Sequence, residues 1–218
     1  MIEYILDNLD SVDEVDEIFV VTNEKFYPHF KIWHKRVESA KVYTKKITII
    51  NDKTTKDGTK IGAVGDINFV IKEANIDDDL LVIAGDNLFE FKLNNFTAFF
   101  KKKNKPVVAL YDTKDIEIAK RMGVVELDDT DKIIDFQEKP PEPKTTLISI
   151  CCYAFPKEKL SRVQEYLDKG NNPDAPGFYI EWLYKNEDTY GWVLPGTWFD
   201  IGNIEQYEKA NLQYGGIE

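Results

Sequence analysis

The chain has 218 residues, 43% hydrophobic and 13% aromatic, which suits one α/β domain with a real core. Its formal net charge of −11 opposes binding to nucleic acid, because a phosphate polymer demands a basic face. No apolar stretch approaches the roughly 18 residues of a membrane-crossing helix, and the acidic start "MIEYILDNLD" lacks the basic region of a signal peptide.

"IEYILDNL" opens as a helix, and "EIFVVTN" (17–23) follows as a strand. Residues 24–36 read as helical despite Pro28, "KITII" (46–50) as a strand, and "TTKDGTK" (54–60) as a loop with a glycine turn signal. Ile67, Val70, Ile71 and Ala74 stand at i, i+3, i+4 and i+7, a helix with one buried face. "LLVIA" (80–84) is an unbroken apolar run closed by Gly85 and Asp86, the pattern of a strand buried on both faces. The helix "NNFTAFFKKK" and the strand "PVVALYD" continue the alternation, and the lysines at 101–105 read as a solvated helix end that suits the dipole. A mostly parallel, doubly wound, Rossmann-like α/β sheet is therefore expected.

Beyond residue 112 the pattern turns mixed or antiparallel. "GVVELDD" (123–129) and "KIIDFQEKP" (132–140) form a hairpin-like pair, and "LISICCYAFP" (147–156) is a third strand. A helix at 157–168, a Pro/Asn/Gly loop at 170–177, the helix "FYIEWLYKN", the strand "YGWVL" and a helix near 204–213 close the chain. No linker or repeat interrupts it, so residues 1–218 read as a single domain. Cys151 and Cys152 are adjacent, cannot form C-x-x-C, and read as buried free thiols of a reducing, cytoplasmic setting.

Three motifs carry chemistry. Ligands of a doubly wound sheet bind beyond the carboxyl ends of its strands, where Asp86 sits; Asp86 is either a metal ligand or the cap of a short turn. Asp200, after Trp198 and Phe199, is costly to bury without a cation or donors; it is either a second ligand or a cap of the helix after it. Two carboxylates, completed by phosphate and water, are a usual way to hold Mg²⁺. In "FQEKPPEP" (136–143), Glu138 and Lys139 end a strand, fitting either a sugar hydroxyl and a phosphate or an ordinary exposed strand end.

In this order the motifs resemble the sugar-phosphate nucleotidyltransferases, of the glucose-1-phosphate thymidylyltransferase and uridylyltransferase type. "KIGAVGDI" (60–67) is similar to L-G-T-A-G-A, and "AGDNLF" to the metal-binding G-D. "MGVVELDDTDKIIDFQEKP" is similar to G-V-V-E…F-x-E-K-P, and "GTWFDIGNIEQYEKAN" to W-x-D-I-G-T. The resemblance implies a nucleoside triphosphate and a sugar 1-phosphate as substrates, with Mg²⁺ held by Asp86 and Asp200. It implies Glu138 and Lys139 on the sugar hydroxyls and phosphate, Gly62 and Ala63 beside the base, and Gly123 near the sugar. "SICCY" puts Ser149 and Cys151 where the family has Asn and Gly, and "GAVG" lacks its Thr.

The family's strand with G-x-G-x-R-L…K-P, which supplies the catalytic Arg and Lys, is not among the 218 residues. "MIEYILDNLD" resembles the stretch that follows it. The resemblance then implies a sheet without a central strand, its neighbours at 17–22 and 80–85 facing a gap. Another strand, a second copy in a homo-oligomer, or collapse would fill it. Weak turnover by the chain alone is expected, and a non-catalytic regulatory or sugar-nucleotide-binding module is the competing reading.

Overall fold

A computed structural model describes residues 1–55 and 60–213; residues 56–59 of the "TTKDGTK" loop lie outside the described residues. The first half alternates helix and strand: α1 (Ile2–Asp10), β1 (Glu17–Thr22), α2 (Tyr27–Ser39), β2 (Lys46–Asn51), α3 (Ala63–Glu73) and β3 (Leu80–Ile83). Pro28 sits in the first turn of α2, where its missing N–H is no loss. Next come β4 (Asn87–Phe89), α4 (Leu93–Lys103), β5 (Val107–Asp112) and α5 (Ile116–Ala119). The hairpin β6 (Gly123–Leu127) and β7 (Ile133–Glu138) follows, then β8 (Leu147–Phe155). A 3-10 turn at Lys157–Lys159, α6 (Ser161–Asp168), α7 (Pro176–Asn186), β9 (Tyr190–Val193), β10 (Trp198–Asp200) and α8 (Ile204–Gln213) complete the described chain. No helix among the described residues is long and apolar enough to cross a membrane.

β8 organises the larger sheet. On one side it pairs with β5; on the other it pairs with β6 through its first half and with β3 through its second. All three ladders are antiparallel, so β3, β5 and β6 run in one direction, and β9 joins them parallel to β5. β1 and β2 form a separate parallel pair, and β4 and β10 a small antiparallel one. The fold is thus α/β, with parallel and antiparallel pairing mixed in its second half.

Several expectations change. The helix expected over 157–168 is a 3-10 turn followed by a shorter α-helix. β4, β10 and α5 are three or four residues long, too short for periodicity to reveal. The lysine cluster is not wholly solvated: the Lys103 side chain is only 16% exposed, and its Nζ lies 3.1 Å from Asp131 and over the Tyr190 ring. Cys152 is fully buried but Cys151 is only partly so, because the ladder shifts register there and gives Cys151 a φ of 53°. Most consequential, "LLVI" is half-buried throughout, whereas Val107–Leu110 of β5 are completely buried.

Candidate active site

The β4–β10 ladder brings two distant carboxylates together. Asp200 pairs in register with Asn87, and Ile201 N donates to the Asp86 carbonyl at 3.0 Å. Asn87 Nδ2 donates to Asp86 Oδ1 at 2.9 Å while its Oδ1 accepts from Trp198 Nε1, so Asn87 steadies both strands. Asp200 does not cap the following helix: it ends β10, and Asn203 Oδ1 accepts from Gln206 N at the start of α8; Asp86 lies in the turn between β3 and β4. Burial, followed by the charge of Asp86, raises the pKa of Asp200 above the ordinary aspartate range. Among the described residues no cation pairs with either carboxylate, and no cluster of three or more His, Cys, Asp or Glu forms a protein-only metal cage. Two under-compensated carboxylates fit a magnesium ion that takes its remaining ligands from phosphate and water.

Glu138 lies nearby. Burial pushes the Cys151 thiol up to about 11; a hydrogen bond with Tyr153 opposes this, and the charges of Asp86, Glu138 and Asp200 add to it, so all three carboxylates lie within electrostatic reach of that thiol. The hairpin register sets Glu138 opposite Gly123. An added Cβ would lie 2.9 Å from Glu138 Oε2 at Gly123 and 1.7 Å from it at Gly177. The Glu138 side chain is only 7% exposed; burial raises its pKa, the Lys139 charge opposes this, and Glu181 adds to it. Lys139 turns away, with φ 50° and its side chain 59% exposed, leaving Nζ 4.0 Å from Glu138 Oε1. An inward acid and an outward base thus share one strand end, the acid packed against two glycines.

Gly62 and Ala63 begin α3 and line a cavity of about 250 Å³ at the carboxyl ends of β1 and β2, with Thr22, Asp52, Asp66 and Asp174. Gly62 has φ 78°, and a Cβ there would fall 2.3 Å from the Pro173 carbonyl oxygen. Its glycine is therefore required by the 173–174 loop. That loop also accepts the first amides of α3: Val64 N donates to Pro173 O at 2.9 Å and Ala63 N to Asp174 O at 3.4 Å. Asp66 is pushed up to about 6 by burial, by the Asp52 charge and by a hydrogen bond with Asp52. One Asp66 oxygen, Oδ1, is buried without a hydrogen-bond partner among the described residues. The same 173–177 stretch thus touches both Gly62 and Glu138, joining the cavity to the carboxylate cluster.

Sequence reasoning missed Gly177, Asp52, Asp66 and Asp174. Gly177 carried a signal, since a glycine inside the first turn of a helix is disfavoured unless something must approach closely. Asp66 carried none, because an acidic first-turn residue ordinarily serves the helix dipole.

The fold resembles those of solved nucleotide-sugar enzymes. A protein from Bacillus anthracis assigned as a glucose-1-phosphate thymidylyltransferase, in complex with a sucrose, superposes with a TM-score of 0.82 at 20% identity, covering 100% of this chain and 83% of its own. A UDP-glucose pyrophosphorylase complexed with UDP-glucose gives 0.75 at 17% identity, over 98% of this chain and 85% of its own. Its apo counterpart gives 0.77 at 18% identity over the same shares. Residues 1–216 match the nucleotidyl transferase family, and the chain belongs to that family.

Proposed function

We propose that residues 1–218 form a single cytoplasmic domain that joins a nucleoside triphosphate to a sugar 1-phosphate, releasing pyrophosphate. The observation that carries this reading is the pairing of Asp86 with Asp200, without a protein cation, beside the buried Glu138 and outward Lys139. An oxygen of the sugar 1-phosphate forms a bond to the nucleotide α-phosphorus, and the bond to the pyrophosphate oxygen breaks. That nucleophile is already anionic, so the site needs no general base, only positioning and charge stabilisation. Asp86 and Asp200 would hold Mg²⁺, which would supply charge neutralisation at the phosphates. Lys139 meets the sugar phosphate, and Glu138 accepts from sugar hydroxyls. The cavity at Gly62 and Ala63 receives the base.

The test is pyrophosphate release with Mg²⁺, glucose 1-phosphate and each nucleoside triphosphate in turn. Turnover that Asp86→Ala abolishes is the expected result. A non-catalytic sugar-nucleotide-binding module is the second reading. A folded chain that binds a nucleotide sugar but never releases pyrophosphate would establish it.

A further inference from the structure

The cavity at the carboxyl ends of β1 and β2 is rich in hydrogen-bond acceptors. Asp52, Asp66 and Asp174 line it together with one lysine, Lys60, among the described residues. An ionised carboxylate accepts hydrogen bonds and donates none. A ligand is therefore admitted according to where it carries its N–H groups. A carbonyl oxygen turned toward these acids would set acceptor against acceptor and leave both unpaired.

The three acids are not equally free. Asp52 is committed to its own turn: Oδ1 accepts from Thr54 N at 2.7 Å and from Thr54 Oγ1 at 2.8 Å, and Oδ2 accepts from the same hydroxyl at 2.9 Å. Asp66 hydrogen-bonds with Asp52, and its Oδ1 is sealed from solvent. Asp174 differs. It is an exposed residue of the cavity wall, and no hydrogen bond or ion pair engages its carboxylate among the described residues. Its backbone is nonetheless held: Asp174 N donates to Asn172 Oδ1 at 2.9 Å, and its carbonyl accepts from Ala63 N at 3.4 Å. Asn23 supplies the complementary group. Its Oδ1 accepts from Phe26 N at 3.1 Å, which leaves Nδ2 as the part that can donate into the cavity.

A carboxylate is best matched by two adjacent donors, one for each oxygen. Among the common bases guanine has that pair, an N1–H beside a 2-amino group, with the O6 acceptor next in line for an amide N–H. Uracil and thymine carry one N–H between two carbonyl oxygens. Adenine and cytosine carry an amino group beside an unprotonated ring nitrogen, so the second carboxylate oxygen would face a lone pair. The Asp52–Asp66 wall penalises inward carbonyls in the same way.

We propose that the cavity selects guanine, with Asp174 accepting from N1–H and the 2-amino group and Asn23 donating to O6. The proposal rests on the reading of this cavity as the base site and adds to it the identity of the base.

Equilibrium binding of each nucleoside triphosphate to the full chain tests it, with Mg²⁺ at pH 7.5, above the value of about 6 to which burial and Asp52 raise Asp66. GTP is expected to bind about tenfold or more tightly than UTP, dTTP, CTP or ATP. Inosine triphosphate keeps N1–H and O6 but lacks the 2-amino group. It should bind about 10–100-fold more weakly than GTP, the worth of one hydrogen bond to a charged group. Asp174→Asn should shrink that difference to about threefold or less, whereas a general charge effect would move both nucleotides together. Because Asp174 is exposed, the variant should unfold at the wild-type urea midpoint. Ala63→Leu, which narrows the cavity and leaves the acids in place, separates the proposal from the reading beneath it. If another nucleotide binds as tightly as GTP and Ala63→Leu weakens it, the base site stands and the choice of guanine is refuted. A GTP-to-inosine-triphosphate ratio that Asp174→Asn leaves intact also refutes the proposal. If Ala63→Leu alters no affinity, or the folded chain binds no nucleotide, the base-site reading fails and the proposal falls with it.

Discussion

Gly177→Ala is the sharpest probe of the site's geometry. The added Cβ would sit 1.7 Å from Glu138 Oε2 and 2.4 Å from its Cδ, so the carboxyl must retreat by roughly 1.5 Å or more to reach ordinary contact. Glu181 already acts on it as a like charge, and Phe136 closes in beside Gly123. Overpacking of this kind costs about 1–3 kcal/mol. Alanine returns up to about 1 kcal/mol, because position 177 lies within a helix. The net expected loss is about 1–2 kcal/mol. In a Glu138→Ala background the clash partner is gone, and the same substitution becomes neutral or slightly stabilising. Urea unfolding of the four proteins should therefore give a coupling of about 1–3 kcal/mol. Additivity within about 0.5 kcal/mol would refute the packing of Glu138 against Gly177, and with it the account of why position 177 is glycine.

Asp66→Asn should flatten the pH dependence of stability. Asp66 holds its proton up to about 6 in the folded state against an ordinary 3.8, so the folded chain binds more protons between those values; its contribution is complete below about pH 4 and lost as pH rises through 6. Allowing for solvent screening, wild-type unfolding should lose about 1–2 kcal/mol across that window relative to the variant, read from urea midpoints at its two ends. Mg²⁺ with a nucleoside triphosphate should raise the thermal midpoint of the chain, and Asp86→Asn or Asp200→Asn should each remove the Mg²⁺-dependent part of that rise; an unchanged shift would remove these residues from the metal site. Lys139→Ala should lower kcat/KM for the sugar 1-phosphate about 10–100-fold, the worth of one charged hydrogen bond. Its unfolding midpoint should not move, since the side chain is mostly exposed.

The sequence reveals elements well where periodicity runs long enough, as in α3 and β5, and poorly where a few residues decide the geometry. Three-residue β4 and β10 carry no readable pattern, yet they set Asp86 beside Asp200. Those aspartates were legible only as strand-tip acids, and for Asp200 the structure removes the capping alternative, since Asn203 takes that place at the start of α8. Cys151 was misread because apolar context implied full burial, whereas a register shift in the β5–β8 ladder accompanies a φ of 53° there and leaves it only partly buried. A glycine at that position, as the resemblance implies, would meet the same backbone without the strain a side chain brings. Gly62 shows the reverse: the residue was legible, but its reason lies in the Pro173 carbonyl, a contact that no local pattern encodes.

The half-buried inner strands bear directly on the site. The cavity at Gly62 is built on β1, β2 and α3, whereas Asp86, Asp200 and Glu138 depend on β3, β8 and the ladders around them. Between β1 and β3 no ladder hydrogen bond joins the two groups among the described residues. Two kinds of contact do bridge them: the shared apolar cores, and the 173–177 stretch that touches Gly62 at one end and Glu138 at the other. Apolar packing is non-directional, so it holds the halves together without fixing their register as a ladder would. Phosphoryl-type transfer is sensitive to misplacement of about 1 Å. Under the proposed nucleotidyl transfer, the distance from the cavity to the carboxylate pair would therefore rest on apolar packing and on the 173–177 stretch, which makes that stretch the place where a substitution should disturb substrate alignment most.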